Sequence, residues 1–178
     1  MRSTELQRKI QITLLVAVAM TLHIIESMFP PLPVPGAKIG LANVATLVGL
    51  KFIGFWPAVS ISVIRSVLGS MLTGKFWGLG FWMSFAGATL SALAMGGMLR
   101  ILPKGTSAVW TSCTGSIVHA SAQMAIAVYT LAQPALLVSF PMLLGLSLVT
   151  GVFIGLVGDN LEKPVERFIA SRQKRGRR

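Results

Sequence analysis

Acidic side chains are what this sequence has least of. Among its 178 residues, five are Asp or Glu and 16 are Lys or Arg, which gives a net charge of +11. Charged residues make up 12% of the chain, about half of the ~25% found in soluble domains. With 53% hydrophobic residues, this composition excludes an ordinary soluble domain. We therefore expect residues 1–178 to form a single transmembrane domain.

The scarcity of carboxylates and thiols limits the chemistry that the chain can perform. Asp159 is the one aspartate and Cys113 the one cysteine. Magnesium sites need hard oxygen ligands, mostly carboxylates, and a single thiol forms neither an intramolecular disulfide nor a thiolate cluster. No set of nucleophile, base and orienting residue is visible. We predict no catalytic residue, no metal and no cofactor, and we predict that the chain is not an enzyme.

Six segments approach the length and apolarity needed to cross a bilayer core, which takes about 17–25 residues. They predict an all-α integral membrane bundle of six transmembrane helices, at about residues 10–28, 39–56, 57–72, 78–101, 107–131 and 135–158. The second and third segments are separated by almost nothing at Trp56-Pro57. Either a tight turn or a re-entrant element would fit there, since proline is accepted in the first turn of a helix.

The distribution of basic residues orients this bundle. Thirteen of them fall on one predicted face, including those of a basic tail at residues 159–178, whereas Lys38 and Lys75 fall on the other. By the positive-inside rule, both termini are predicted to be cytoplasmic. The tail is expected to be attracted to anionic membrane lipid. Nucleic-acid binding is not predicted, because no fold is left to present it.

Arg65 lies in the middle of the apolar run at residues 57–73. A guanidinium stays charged and costs several kcal/mol at bilayer depth unless a partner or a polar cavity receives it. Arg65 is therefore the strongest indication of a ligand site in this sequence. The alternatives are an arginine that is paired for structural reasons or one that reaches a lipid headgroup.

Other polar residues fall at a similar depth, between the predicted midplane and the outer surface. At 1.5 Å per helical residue, Arg65 lies about 12 Å below the outer end of its helix. The whole set comes from four predicted helices: His23, Glu26, Asn43, Arg65, His119 and Gln123. Their shared depth predicts a substrate-binding cavity open to the outside. Each residue alone could instead make an interhelical hydrogen bond, and Glu26 could form an ion pair with Arg65.

The connection at residues 29–38 contains four prolines and ends at Lys38. Proline lacks an N–H group and fixes φ, so this segment is predicted to be extended and stiff. It could be a rigid outer lid that places Lys38 in the binding site, or a plain connector. Trp77 and Trp82, near the outer end of the fourth segment, could stack on a substrate ring or belong to the interfacial aromatic belt.

The run from Gly69 to Lys75 follows the P-loop pattern until Phe76 replaces the required Ser or Thr. A membrane helix precedes this run instead of a strand, and the run is predicted to lie outside the cell. ATP is therefore not expected to bind here, and any ATP-driven work needs a partner protein.

Several of these residues together resemble the bacterial Gx transporter family, whose members are labelled heptaprenyl diphosphate synthase component I. The resemblance rests on His23-x-x-Glu26, the run from Pro30 to Asn43, Arg65 and His119-x-x-x-Gln123, and it covers about residues 10–158. The chain is also similar to the S components of energy-coupling-factor transporters. These capture a vitamin or related micronutrient outside the bacterial cytoplasmic membrane, and they work with a transmembrane T subunit and two ATPase subunits.

Two functions remain open on this basis. The first is a substrate-binding subunit for uptake of a small micronutrient-type solute, energised by partner ATPases. Arg65 and Lys38 would receive an anionic group, although Glu26 opposes it and leaves the sign open. Ala17-x-x-x-Thr21 on the first helix is the candidate partner surface. The alternative is a non-catalytic membrane accessory subunit linked to polyprenyl (heptaprenyl) diphosphate or quinone synthesis, since the chain lacks the aspartate-rich motifs of the catalytic subunits.

Overall fold

The structure is a computed structural model. It describes residues 2–29, 32, 34, 37–103 and 107–175, and among these the side chains of residues 5–161. Its helices are α1 Arg2–Ser27, α2 Asn43–Phe52, α3 Phe55–Leu72, α4 Leu79–Ile101, α5 Ala108–Leu131 and α6 Phe140–Arg175, with a 3₁₀ helix at Pro134–Ser139. The described residues contain no strand, which confirms the predicted all-α class.

Four helical segments are long and apolar enough to cross a membrane: Glu5–Ser27, Phe55–Leu72, Leu79–Ile101 and Pro134–Leu161. The chain is thus a membrane protein by the length and composition of its helices. Helix α5 has 24 residues but is less apolar, because it carries buried polar side chains that include Ser112, Ser116, His119 and Gln123. Helix α2 has 10 residues and falls short of a span. The six crossings and the cytoplasmic termini stay predictions.

The predicted bounds of the second helix, residues 39–56, are wrong. Residues 38–42 are not helical, and α2 begins at Asn43. Gly40 has a φ of +91°, which lies outside the helical region and is readily adopted by glycine alone. The N–H groups of Gly40 and Leu41 donate to the Glu26 carboxylate, so a side chain replaces the helical hydrogen bonds at this point.

Two residues, Ile53 and Gly54, separate α2 from α3. Gly54 has a φ of +125°, a conformation that L side chains rarely adopt, and it accommodates a sharp reversal of the chain. Helix α3 begins at Phe55, two residues before the predicted start. Residues 51–60 therefore contain a tight turn.

Helices α4, α5 and α6 pack closely because small residues lie at their contacts. Gly151 on α6 packs against Ser116 and Cys113 of α5, and Gly155 packs against the backbone of Val109. A Cβ atom at Gly155 would lie 2.3 Å from the Cα of Val109, so no larger residue fits without a shift. Helix α1 lies at the edge of the bundle, against α2 and α3.

One described residue of the connection between α1 and α2, Val34, belongs to the core. The four prolines of this connection and Gly36 lie outside the described residues. Val34 is 1% exposed and packs into a cluster formed by α4, α5 and α6: Met83, Ala120, Met124, Ala127 and Leu143. Val34 therefore attaches its part of the chain to the bundle, while the choice between a lid and a plain connector stays a prediction.

At the opposite end, Asp159 of α6 joins three helices. Its carboxylate accepts hydrogen bonds from the backbone N–H of Ala108 at 2.7 Å and from the hydroxyl of Ser107, and it forms an ion pair with Lys51 at 3.4 Å. A carboxylate at the start of α5 also complements the positive end of that helix. Helix α6 continues to Arg175, past the predicted end at residue 158.

Candidate functional site

Arg65 is fully buried, at 1% exposure. Its Nη2 donates to the Oδ1 of Asn43 at 2.6 Å, while its Nε has no hydrogen-bond partner among the described residues. Asn43 is the first residue of α2. Arg65 therefore does not extend to a lipid headgroup, and its one hydrogen-bond partner in the described structure is a neutral amide.

Glu26 is buried on α1 and binds the backbone just before α2. Its Oε1 accepts from the backbone N–H of Gly40 and, at 3.3 Å, from that of Leu41. The one ion pair within 4.0 Å among the described side chains joins Lys51 to Asp159. Glu26 and Arg65 are consequently not an ion pair, which excludes one of the alternatives.

Lys38 points back toward α1. Its Nζ lies 2.6 Å from the Nε2 of His23 and donates to the Oγ of Ser27 at 2.9 Å. Partial burial lowers the pKa of Lys38 to about 8, chiefly because the ammonium is withdrawn from water, although Glu26 acts in the other direction. The charge of Lys38 is therefore held by neutral partners and is easily lost at alkaline pH.

Gln123 of α5 holds the backbone of the same lysine. Its Oε1 accepts from the N–H of Lys38 at 2.8 Å, and its Nε2 donates to the carbonyl of Lys38 at 3.0 Å. The Nε2 of His119 is also hydrogen-bonded to this amide. The backbone at residues 38–41 is thus held by Gln123 at Lys38 and by Glu26 at Gly40 and Leu41.

Two glycines make room for the two histidine rings. A Cβ at Gly69 would lie 2.7 Å from the Cδ2 of His23, and a Cβ at Gly87 would lie 2.9 Å from the Cε1 of His119. Both rings are buried, at 0% and 3% exposure. Gly69 on α3 and Gly87 on α4 are therefore required for the present ring positions.

The structure brings all seven predicted site residues together. They come from α1, α2, α3, α5 and the connection, and direct hydrogen bonds link them in three groups: Arg65 with Asn43, Glu26 with the backbone at residues 40–41, and Lys38 with His23, Gln123 and His119. Their role in binding substrate stays a prediction.

A cavity of about 280 Å³ adjoins this cluster at the ends of α1 and α3. Two of the predicted residues, Glu26 and Lys38, line it. The rest of its wall is Ser27, Phe29, Leu32, Ala37, Ile39, Ser70, Thr73, Lys75 and Gly80. The other five predicted residues, His23, Asn43, Arg65, His119 and Gln123, do not line the cavity.

Sequence reasoning missed Ser70, Thr73 and Lys75. A signal for the first two was present, because Ser62, Ser66, Ser70 and Thr73 recur at spacings of three and four residues on the same helix as Arg65. The predicted spans place Lys75 on the outer face, but nothing in the sequence gives it a role in the site. Trp77 and Trp82 do not line the cavity; their rings lie 5.3 Å apart in an aromatic cluster with Phe81.

Among the described residues, no group of three or more His, Cys, Asp or Glu side chains could hold a metal ion. A family model described as heptaprenyl diphosphate synthase component I matches residues 15–161. The chain belongs to this family. The match confirms the resemblance proposed from the sequence, and it covers every residue of the site. No curated protein and no solved structure matches the chain.

The name of the component I family refers to one component of a synthase, which implies a partner component. The matched region contains α2 to α5 entire, half of α1 and most of α6, and it includes all the residues of the site. In the described part of the chain, the predicted site residues gather at one end of the bundle, where they bind the backbone at residues 38–41 and adjoin a cavity.

Proposed function

We propose that the chain is the substrate-binding subunit of a membrane uptake system for a small micronutrient-type solute, energised by partner ATPases. The observation that carries this proposal is an open cavity lined by Glu26 and Lys38, both close enough to the fully buried Arg65 to interact with its charge. A binding pocket is a concave surface with a few converging polar groups. The non-helical backbone at residues 38–42, directly before α2, supports the same function. Substrate sites in transporters are often built at broken helices whose N-termini face an anionic group.

An acidic group on the solute is favoured by the local charge. Lys38 and Lys75 line the cavity, and the charge of Arg65, whose hydrogen-bond partner is a neutral amide, acts on Lys38. Arg65 can act through Asn43 and the N-terminus of α2, or directly if residues 38–41 move. In either case its charge stabilises an anion in the cavity.

The experiment is mass spectrometry of the small molecules released from the purified full-length protein, with Arg65→Ala and Arg65→Lys beside the wild type. We expect a defined solute from the wild type, at least about a hundredfold less from Arg65→Ala, and an intermediate amount from Arg65→Lys, which retains the charge but not the planar guanidinium. Equal retention by wild type and folded Arg65→Ala would contradict the proposal.

The partner surface that we propose lies on α1. Ala17 and Thr21 are both exposed, and the Thr21 hydroxyl is satisfied by the carbonyl of Ala17. Exposed apolar side chains flank them, among them Leu14 and Val18. Such a face suits a transmembrane T subunit, because small residues allow helix backbones to approach closely.

The family name favours a second candidate, a membrane accessory subunit of a prenyl diphosphate synthase. This function predicts stable co-purification with a soluble, aspartate-rich synthase and no retained polar solute. The mass spectrometry experiment separates the two functions, because a solute that depends on Arg65 is expected from the first alone.

A further inference from the structure

The cavity carries charge of both signs. Its wall holds one carboxylate, Glu26, and two ammonium groups, Lys38 and Lys75. Since the one ion pair within 4.0 Å among the described side chains joins Lys51 to Asp159, none of these three charges is paired with another. A charge withdrawn from water is costly without an opposite charge or good hydrogen bonds.

The groups that now bind the carboxylate of Glu26 and the ammonium of Lys38 are neutral. Both N–H groups that bind Glu26 donate to Oε1, which leaves Oε2 for the cavity that the residue lines. Lys38 uses its ammonium on His23 and Ser27, and Lys75 is exposed, with its backbone N–H donating to the carbonyl of Ser70. The wall therefore offers one negative and two positive groups to a ligand.

The ends of two helices add to the negative side. Helix α1 ends at Ser27 and helix α3 at Leu72, and the cavity lies beside both ends. The C-terminus of a helix carries a partial negative charge that favours a cation. A ligand with an anionic group alone would leave Glu26 and these helix ends without a positive partner.

We propose that the cavity takes a small zwitterion. Lys38 and Lys75 hold its anionic group, Glu26 holds its cationic group, and Phe29, Leu32 and Ile39 contact the apolar body between them. The volume of about 280 Å³ lies just below the usual range of ligand pockets, which is about 300 to 1,000 Å³, so we infer a molecule of amino-acid size. This inference rests on the proposed function and names its substrate class.

The test uses three sets of probes: free amino acids, their N-acetyl derivatives, which lack the positive charge, and their methyl esters, which lack the negative charge. The purified full-length protein is mixed with all three sets, separated rapidly from unbound molecules and examined by mass spectrometry. We expect at least one free amino acid to be retained, with both of its derivatives bound at least about tenfold more weakly, since each loses a hydrogen-bonded charge pair.

Two variants assign each charge to its partner. Glu26→Gln keeps an oxygen for the N–H groups of Gly40 and Leu41 and should lose most of the selectivity against the N-acetyl form. Lys75→Gln, in an exposed turn that tolerates the change, should lose most of the selectivity against the methyl ester. The matched controls Glu5→Gln and Lys9→Gln, exposed near the other end of α1, should leave both selectivities unchanged.

Other outcomes overturn the inference. A singly charged derivative that binds as well as its parent, or wild-type selectivity in both cavity variants, contradicts a zwitterion. If no probe is retained by a protein that releases a native, Arg65-dependent solute, the zwitterion fails and solute capture stands. If neither a probe nor a native solute is retained, both proposals fail.

Discussion

The protonation of Lys38 depends strongly on its surroundings. Burial lowers its pKa from 10.5 to about 8. The charged and titratable groups that face it are His23 and Glu26 on α1, Arg65 on α3 and Lys75 in the turn after α3. A bound acidic group would stabilise the protonated form, so binding and protonation of Lys38 are linked.

We predict that affinity for an acidic solute falls as the pH rises through about 8. Above this pH the free protein must take up a proton in order to bind, which weakens binding by up to about tenfold per pH unit until the pKa of the complex is reached. Isothermal titration calorimetry between pH 7 and 9.5, in buffers of different ionisation enthalpy, measures the affinity and the proton uptake. Arg stays charged in this range, so Lys38→Arg should abolish the uptake; uptake that persists in this variant would assign it to another group.

The same shift has a second consequence for the protein without solute. The folded-state pKa lies below the unfolded one, so between about pH 8 and 10.5 the unfolded state binds more protons. The contribution of Lys38 to the free energy of unfolding therefore rises with pH across this window. Affinity and stability should change in opposite directions, which a general alkaline loss of structure would not produce.

At the level of the helices, α4 carries two glycines with different surroundings. A Cβ at Gly87 would lie 2.9 Å from two atoms of the His119 ring and 3.3 Å from the Cγ of Gln123, whereas a Cβ at Gly97 would meet nothing within 4 Å. Gly87→Ala should therefore destabilise the fold by about 1–3 kcal/mol through overpacking and should weaken solute retention. Gly97→Ala is the matched control, expected to be neutral or stabilising by up to about 1 kcal/mol.

The measurement for this pair is the free energy of unfolding in a denaturing detergent, with solute retention determined on the same samples. Similar effects of the two substitutions would show that the cost comes from the helix backbone and not from His119. Loss of stability in Gly87→Ala with full retention of solute would show that the position of the ring is not needed for binding.

The helices also show what could be predicted from the sequence and what could not. Charged and amide side chains in apolar runs are costly to bury, and for this reason the sequence alone predicts that His23, Arg65 and Gln123 lie in one cluster. The bounds of α2 could not be predicted, because hydrophobic pattern reports burial and not backbone geometry. Residues 39–42 are apolar enough to resemble a helix, yet Glu26 and Gln123, distant in the sequence, bind N–H groups at residues 38, 40 and 41.

For the whole molecule, the short helix α2 raises the question of how the predicted second crossing could be made. Ten residues of α2 extend about 15 Å, and residues 39–42 add up to about 3.3 Å each, so the two together can nearly match a hydrocarbon core of about 30 Å. Irregular backbone is tolerated at membrane depth where it is buried in protein. Glu26 of α1 accepts hydrogen bonds from the N–H groups of Gly40 and Leu41, which would otherwise lack partners. Gln123 of α5 binds the N–H of Lys38, just before residues 39–42.

This arrangement predicts on which side of the membrane residues 9, 75 and 172 lie. In a variant with Cys113 replaced by Ser, single cysteines are introduced at Lys9, Lys75 and Arg172, and whole cells are treated with a membrane-impermeant thiol reagent.

If residues 39–52 cross the membrane, three crossings separate residue 9 from residue 75 and three more separate residue 75 from residue 172. We expect Lys75→Cys to be labelled in intact cells, and Lys9→Cys and Arg172→Cys only after permeabilisation. If residues 39–52 did not cross, residues 9 and 75 would lie on the same side, and neither or both would be labelled; the Cys113→Ser parent, which has no thiol, sets the background.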